Sequence, residues 1–337
     1  MKNSHLFVSA FSLAVLLVCS AFHSKPPETC THPSWGFYGH KKINEMAIYT
    51  LPEGMFGFYK ANLEYIVEHS VDPDKRRVAV KGEEENHFID MDRYCTGSPC
   101  NPFDNVPRRW NDAVEKFGED TLRANGIVPW HVNLMLIRLT EAFKQKDVNR
   151  ILRLSAEIGH YIGDAHVPLH STSNYNGQYT NQRGIHGFWE SRLPEIFEPN
   201  YDFFVGKANY LDRPLDFIWD RVAESFAAVD SVLVFERELT ASFPSDQKYS
   251  FEQRGAAEIK AYSREFSDSY HRGLNGQVER RMKQAVASIG SFWFTAWVNA
   301  GQPDMNPLIS AHLKQVSEDS LLMEESAGKK LRVRDHE

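Results

Sequence analysis

Beyond residue 40, apolar residues recur every three to four positions over most of the chain, the period of an amphipathic helix. Trp130, Leu134, Ile137, Leu139 and Phe143 mark one such stretch over 130–145, and Ile151, Leu154, Ile158 and Ile162 mark a second over 147–167. A third, over 276–300, carries Val278, Met282, Ala285, Ile289, Phe292, Trp293, Ala296 and Trp297. This aromatic stripe reads as buried core, not as a ligand platform. Residues 214–241 predict another long helix or helix pair. Convincing period-two alternation is scarce, and no unit repeats at the spacing of a solenoid. Turn residues gather at 95–108, 171–185 and 199–214, which predicts loops there. The pattern implies an all-α fold with several helices in one catalytic domain.

The ends of the chain change this picture. Lys2 precedes the apolar run Leu6–Phe22, which is too short and too poorly flanked to make a stable membrane span. Residues 1–21 therefore read as a signal peptide with cleavage after Ala21, and Cys19 as a lipidated cysteine is the lesser alternative. Residues 22–34 read as a linker, 35–305 as the catalytic domain, and 306–337 as a charged tail too poor in large apolar residues to pack. No later stretch is apolar enough to cross a membrane. The expected location is exported, either periplasmic or secreted. In that oxidising setting Cys95 and Cys100, which bracket a tight TGSP segment, predict a local disulfide.

The formal net charge is −7, and no run of Lys and Arg makes a basic stripe. That argues against a duplex-binding surface. It leaves phosphodiester chemistry open, because clustered metal ions bring their own positive charge.

The chemistry is concentrated in HYIGDAHVPLH at 160–170 and HGFWE at 186–190. His160 and Asp164 stand four apart on one predicted helix, as do His186 and Glu190 on another, so each pair shares a helix face. His170 lies just past Pro168, where the first helix should stop. Imidazole and carboxylate without cysteine is the donor set of a hydrolytic zinc site. His40 in WGFYGH, His87 in HFID, and the acids Asp72 and Asp74 extend the set.

Rival metal readings fit less well. Glu84–His87 and Glu157–His160 are two E-x-x-H pairs, the signature of a di-iron bundle. That reading leaves Asp164, His170, His186 and Glu190 without a role. No H-E-x-x-H is present, which disfavours a zincin protease, and no adjacent His-Asp doublet suggests an HD-type phosphohydrolase.

The pattern H-x3-D-x5-H followed by H-x3-E resembles the superfamily shared by zinc-dependent phospholipases C and single-strand-specific zinc nucleases. The resemblance runs from Trp35 to about Glu190 by motif. It implies an all-helical domain with three zinc ions in a cleft. One zinc would take Asp72, His87, His160 and Asp164, with Asp74 as the fallback for Asp72. A second would take His170, His186 and Glu190. The third would take His40, a shared Asp164 and the main chain of Trp35. In that superfamily the tryptophan is the mature N-terminus and its amine is a ligand. Here Trp35 lies well beyond the expected cleavage site, so the third site needs further trimming or has one contact fewer.

The chemistry implied is phosphoester hydrolysis by zinc-activated water. Asp164 and Asp72 would be the catalytic carboxylates: Asp164 bridges two zincs, and Asp72 also helps to accept a proton. One of Lys75, Arg76 and Arg77 would orient phosphate oxygens, and Asp90 or Asp92 would accept from the outer nitrogens of ligand histidines. Substrate choice lies between phospholipid and single-stranded nucleic acid. Glu190 and the short His170–His186 interval lean towards phospholipase C. The W-G-x-x-G-H opening, the Asp72–His87 interval and the HFID context lean towards a single-strand endonuclease or 3′-nucleotidase. Phe37, Tyr38, Tyr175 and Tyr179 are candidate shelves for bases. A non-catalytic zinc-binding helical protein is the third possibility.

Overall fold

The computed structural model describes residues 36–309 apart from 96, 98, 99, 255 and 256. These described residues fall within one compact unit. The expected signal peptide and linker, Cys19, Trp35 and all of the expected tail beyond 309 lie outside them.

The chain begins with helices α1 (Phe37–Ile48), α2 (Glu53–Ala61), α3 (Leu63–His69) and α4 (Asp72–Arg76). Three short helices follow, α5 (Pro102–Asn105), α6 (Trp110–Phe117) and α7 (Glu119–Ala124), and then the long pair α8 (Val128–Gln145) and α9 (Val148–Ala165). A one-turn α10 (Ile185–Gly187) runs into a π-helical turn (Phe188–Arg192) and then α11 (Leu193–Phe197). After α12 (Pro214–Ser242) come an antiparallel hairpin, β1 (Tyr249–Arg254) with β2 (Ala257–Tyr262), and helices α13 (Arg264–Gly273) and α14 (Gln277–Asn299). No described helix is long and apolar enough to cross a membrane.

Helix α9 is the axis of the fold, touched by α1, α3, α8, α12 and α14. Asp147 caps its N-terminus by accepting from the Arg150 amide at 3.2 Å. Ile151, Leu154, Ile158 and Ile162 are buried, and from Ile158 to Ala165 every residue is buried whichever way it points. A helix enclosed on all sides must find partners for its polar side chains; here those side chains include His160 and Asp164. Phe292 and Trp293 of α14 are fully buried, so the aromatic stripe is core. Trp293 stacks on Tyr59 at 4.9 Å and donates its indole N–H to the Ser155 carbonyl.

Two features depart from the sequence reading. The hairpin has the alternation that was judged scarce: Tyr249 and Phe251, then Ala257, Ile259 and Ala261, with polar residues between them. It is short and leaves Phe251 70% exposed, so its apolar face is faint. The expected loop at 95–108 also contains α5, started by Pro102 and capped by the Asn101 side chain. Cys95 and Cys100, at the start of that region, form a disulfide with Cα atoms 5.7 Å apart.

Candidate metal centre

Three elements place the donors. Helix α9 presents His160 and Asp164 one turn apart, and α1 crosses it closely enough to stack the His40 ring on His160, centroids 4.0 Å apart. Pro168 starts the 3-10 turn that holds His170. His186 and Glu190 come from α10 and the π turn, a wide turn that often marks functional positions.

The first donor set consists of His87 Nδ1, His160 Nε2 and Asp164 Oδ2, with Asp74 Oδ1 beside it and grouped with His40 and His160. The two imidazole nitrogens are 3.1 Å apart, and Asp164 Oδ2 lies 3.0 Å and 3.4 Å from them. Asp74 Oδ1 lies 3.8 Å and 3.7 Å from the same two nitrogens. Zinc with nitrogen and oxygen ligands in a tetrahedron spaces its donors about 3.3–3.4 Å apart. The atoms of His87, His160 and Asp164 need only small shifts to reach that spacing, and Asp74, which also groups with His40 and His160, stands a little farther out. The second set is His170, His186 and Glu190, with Glu190 Oε2 3.4 Å from His170 Nε2 and 2.7 Å from His186 Nε2. In the third, His40 Nε2 lies 3.3 Å from Asp164 Oδ1 and 3.4 Å from Glu190 Oε1. Asp164 thus gives one oxygen to the first set and the other to the third. Glu190 divides its oxygens between the second and third sets in the same way.

Backbone carbonyls fix three of the rings. His160 Nδ1–H donates to Ser70 O at 2.9 Å, His170 Nδ1–H to His87 O at 2.6 Å, and His186 Nδ1–H to Tyr175 O at 3.2 Å. A proton held on Nδ1 leaves the Nε2 lone pair facing the carboxylates, the tautomer a metal requires. Asp92 does not take the role expected of it. Asp92 accepts from the Ser173 amide at 2.8 Å and the Ser173 hydroxyl at 2.5 Å. The donor set, its spacing and these tautomers fit zinc.

The metal-free electrostatics show how strongly the groups depend on one another. Burial opposes the charge on Asp164, but His160, His170 and the hydrogen bonds from His40 and His87 hold its carboxyl well below the usual range. Glu190 is held well below it against burial by His170, His186 and His40. Burial alone would lower His40 and His87, yet their carboxylate partners push them up to about 10 and about 9. Burial, together with the neighbouring His40, takes His160 down to about 3.

A family model described as zinc dependent phospholipase C matches residues 39–243. The chain belongs to that family. Members are zinc-dependent phosphoric ester hydrolases, and the donor chemistry here agrees with their metal. The fold is also similar to the solved structure of alpha-toxin from an avian strain of Clostridium perfringens, with 12% identity and a TM-score of 0.45. That similarity covers 81% of this chain and 66% of the alpha-toxin chain. No curated protein matches the chain significantly.

Against this zinc-dependent phospholipase C background, one expected ligand is displaced. Asp72 stands apart from all the donor sets: His69 Nδ1 binds its carboxylate at 2.5 Å and Lys75 at 2.7 Å. Asp74, two residues later on α4, faces His87 and His160 instead. Asp72 begins α4, where its acid suits the helix N-terminus, while Asp74 lies on the face turned to α9. His40, His87, His160, Asp164, His170, His186 and Glu190 all enter the sets. Trp35, expected to complete the third, is outside the described residues. Glu157 is taken by Arg76 at 2.8 Å, which removes the di-iron geometry. His166, left out of the expected ligands, donates to Ile162 O and meets Ser288.

Of the three basic residues after Asp74, Lys75 binds Asp72 and Arg76 binds Glu157 and Glu83. Arg77 lines a narrow crevice with Glu84, His87, Phe88, His170, Tyr175 and His186. Its Nη1 is 3.6 Å from Asp74 Oδ1, and its buried Nε has no hydrogen-bond partner.

Proposed function

We propose that the protein is an exported zinc-dependent phosphodiesterase with three ions per chain, acting on phospholipid in the manner of a phospholipase C. The observation that carries this is the division of Asp164 between two donor sets: one carboxylate that can hold two ions side by side. Zinc bound there supplies a Lewis acid and a water that ionises near neutral pH.

The residues of the chain would then act as follows. Asp164 fixes the spacing of the two ions. Asp74, next to Arg77, is the carboxylate placed to take the proton of the attacking water, the role first expected of Asp72. The Arg77 guanidinium, beside Asp74 with a buried Nε that has no hydrogen-bond partner, would orient the phosphate oxygens once the crevice widens around substrate. His170, His186 and Glu190 would hold an ion whose charge could stabilise the leaving oxygen. Beside His40 and Glu190, a small cavity of about 40 Å³ lined by Ile43, Val167, Trp189, Val278 and Met282 offers an apolar border. That border suits a lipid leaving group better than a base. Export is supported by the Leu6–Phe22 run after Lys2 and by the Cys95–Cys100 disulfide.

The single-strand nuclease reading keeps one specific support, the W-G-x-x-G-H opening that places His40. Its other support is weaker, because Asp74, not Asp72, faces His87. Of its candidate shelves, Tyr175 lies at the crevice, whereas Tyr38 donates to Glu198 and Tyr179 is bonded by Arg93.

The test is parallel turnover of phosphatidylcholine, single-stranded DNA and an aryl phosphodiester by the zinc-loaded protein, with and without a chelator. Phosphatidylcholine should be the preferred substrate, and activity should vanish on chelation and return with zinc. Preference for DNA would replace the lipid reading with the nuclease one. Stable zinc with no turnover of any substrate would leave an inert zinc protein.

A further inference from the structure

His87 differs from the other ligand histidines in what stands behind it. His160, His170 and His186 each donate their outer nitrogen to a neutral carbonyl oxygen. The outer nitrogen of His87 is Nε2; it is buried with no hydrogen-bond partner, and the carboxylate oxygen it faces, Glu83 Oε1, lies 3.7 Å away, close enough to be met by a small shift of the ring. Both residues are buried, Glu83 at 7% exposure and His87 at 2%.

Glu83 is itself held by two donors. The Tyr161 hydroxyl donates to Oε1 in a short hydrogen bond, and Arg76 Nη2 lies 3.4 Å from the same oxygen. Arg76 is fixed in turn by Glu157 through Nη1 at 2.8 Å. Tyr161, next to His160 on α9, packs edge-on against His87 and His160, with centroids 5.3 Å and 5.5 Å away. A buried carboxylate with two such donors is anchored in position and charge. None of these groups enters a donor set.

We propose that Glu83 is the orienting carboxylate of His87: it accepts the Nε2 proton, keeps Nδ1 turned to Asp74, His160 and Asp164, and strengthens this one metal site above the others. The inference rests on the zinc reading of the donor sets. An anion behind a ligand imidazole fixes its tautomer and raises its basicity, and losing such a partner weakens metal binding about 10–100-fold. Glu83 is a positioning residue, because it acts through His87 and touches no substrate.

The test is cobalt(II) and zinc titration of the chelator-stripped full chain against a chromophoric competitor, with the cobalt visible spectrum recorded at each step. Glu83→Ala should weaken the ion on His87 about 10–100-fold, far more than any effect passed to its neighbour through Asp164, with the cobalt bands of that site altered. Glu83→Gln keeps an acceptor for Nε2–H and Tyr161 but loses the charge, so it should weaken the same ion by a smaller factor. If Glu83→Ala does not fold, as judged by circular dichroism, Glu83→Gln alone decides. Wild-type affinity and spectrum in a folded Glu83→Ala, or in Glu83→Gln where that variant must decide, overturns the proposal but not the zinc reading. A wild-type chain that binds neither metal overturns both.

Discussion

Gly163 lies so close to His40 that a methyl group on its Cα would come within 2.9 Å of Nδ1, and within 2.8 Å of Ile43 on the same helix. Gly159, one turn earlier, has no room for a side chain either, because Asn44 fills the space. Two glycines four apart thus let α1 lie against α9, and that approach brings His40 to Asp164. Gly163→Ala should move His40 outward. Overpacking of this kind destabilises by about 1–3 kcal/mol, partly offset by the better helix propensity of alanine. The expected result is a lower melting temperature and the loss of about one zinc per chain by metal analysis. A variant with unchanged zinc content would mean that the close approach does not set the third site.

Asp72 and Asp74 make a matched pair of substitutions. Asp74→Asn removes the donor beside the first set, and activity should fall more than about a hundredfold, beyond the loss expected for an outer partner. Asp72→Asn removes only the half-exposed pairings with His69 and Lys75, contributions of about 1 kcal/mol or less. Its turnover should match wild type. The reverse ranking would restore Asp72 as the ligand.

The donors predict proton release on loading. Without metal, His40 and His87 have pKa values raised to about 10 and about 9, so both are protonated at pH 7.5. A metal needs their lone pairs, and loading at that pH should expel about two protons. Calorimetry in buffers of different ionisation enthalpy measures this directly; heats independent of buffer would contradict it. The sign for stability follows. Raised histidines stabilise the metal-free fold fully below their unfolded pKa of about 6.5. That stabilisation is lost as pH rises through 9 and 10, so the stripped protein should melt progressively lower over this alkaline range.

The hairpin beyond the family match makes a further prediction. Arg192, at the end of the π turn, is buried and bonds Glu252 of β1 through both of its terminal nitrogens, one at 2.7 Å. Phe188, at the start of the turn, stacks on Tyr262 of β2 with centroids 3.8 Å apart. Both ends of the turn that carries Glu190 are therefore braced by the hairpin. Glu252→Ala leaves a buried guanidinium short of its partner, at a cost of about 1–3 kcal/mol. Zinc on His170, His186 and Glu190 should weaken while the ion on His87 and His160 holds. Equal weakening of both ions would argue for a general loss of fold.

The long helices were legible because each keeps a helical period over many residues, so the fold class and the core stripe at 276–300 follow from the sequence. The two His–carboxylate pairs were legible for the same reason: spacing by four defines a face whatever the tertiary structure. Asp74 was harder. Two acids separated by one proline both suit the start of a helix, and only the packing of α4 on α9 decides which one faces inward. The π turn and the braced hairpin leave little trace in a sequence. One depends on local widening of a helix, the other on strands too short and polar to show a buried face. Glu83 was hidden among the acids of KGEEENH, where only the tertiary structure brings Tyr161 and Arg76 to one of them.

Asp164 also has a thermodynamic consequence. Because its two oxygens point into different sets, any ion that fixes its rotamer changes the affinity of the neighbouring site. By linkage the effect is reciprocal. The two sites therefore cannot fill independently. A titration of the stripped chain should show coupled binding steps, and Asp164→Asn should disturb the ions of the first and third sets together, as Glu190→Gln should those of the second and third.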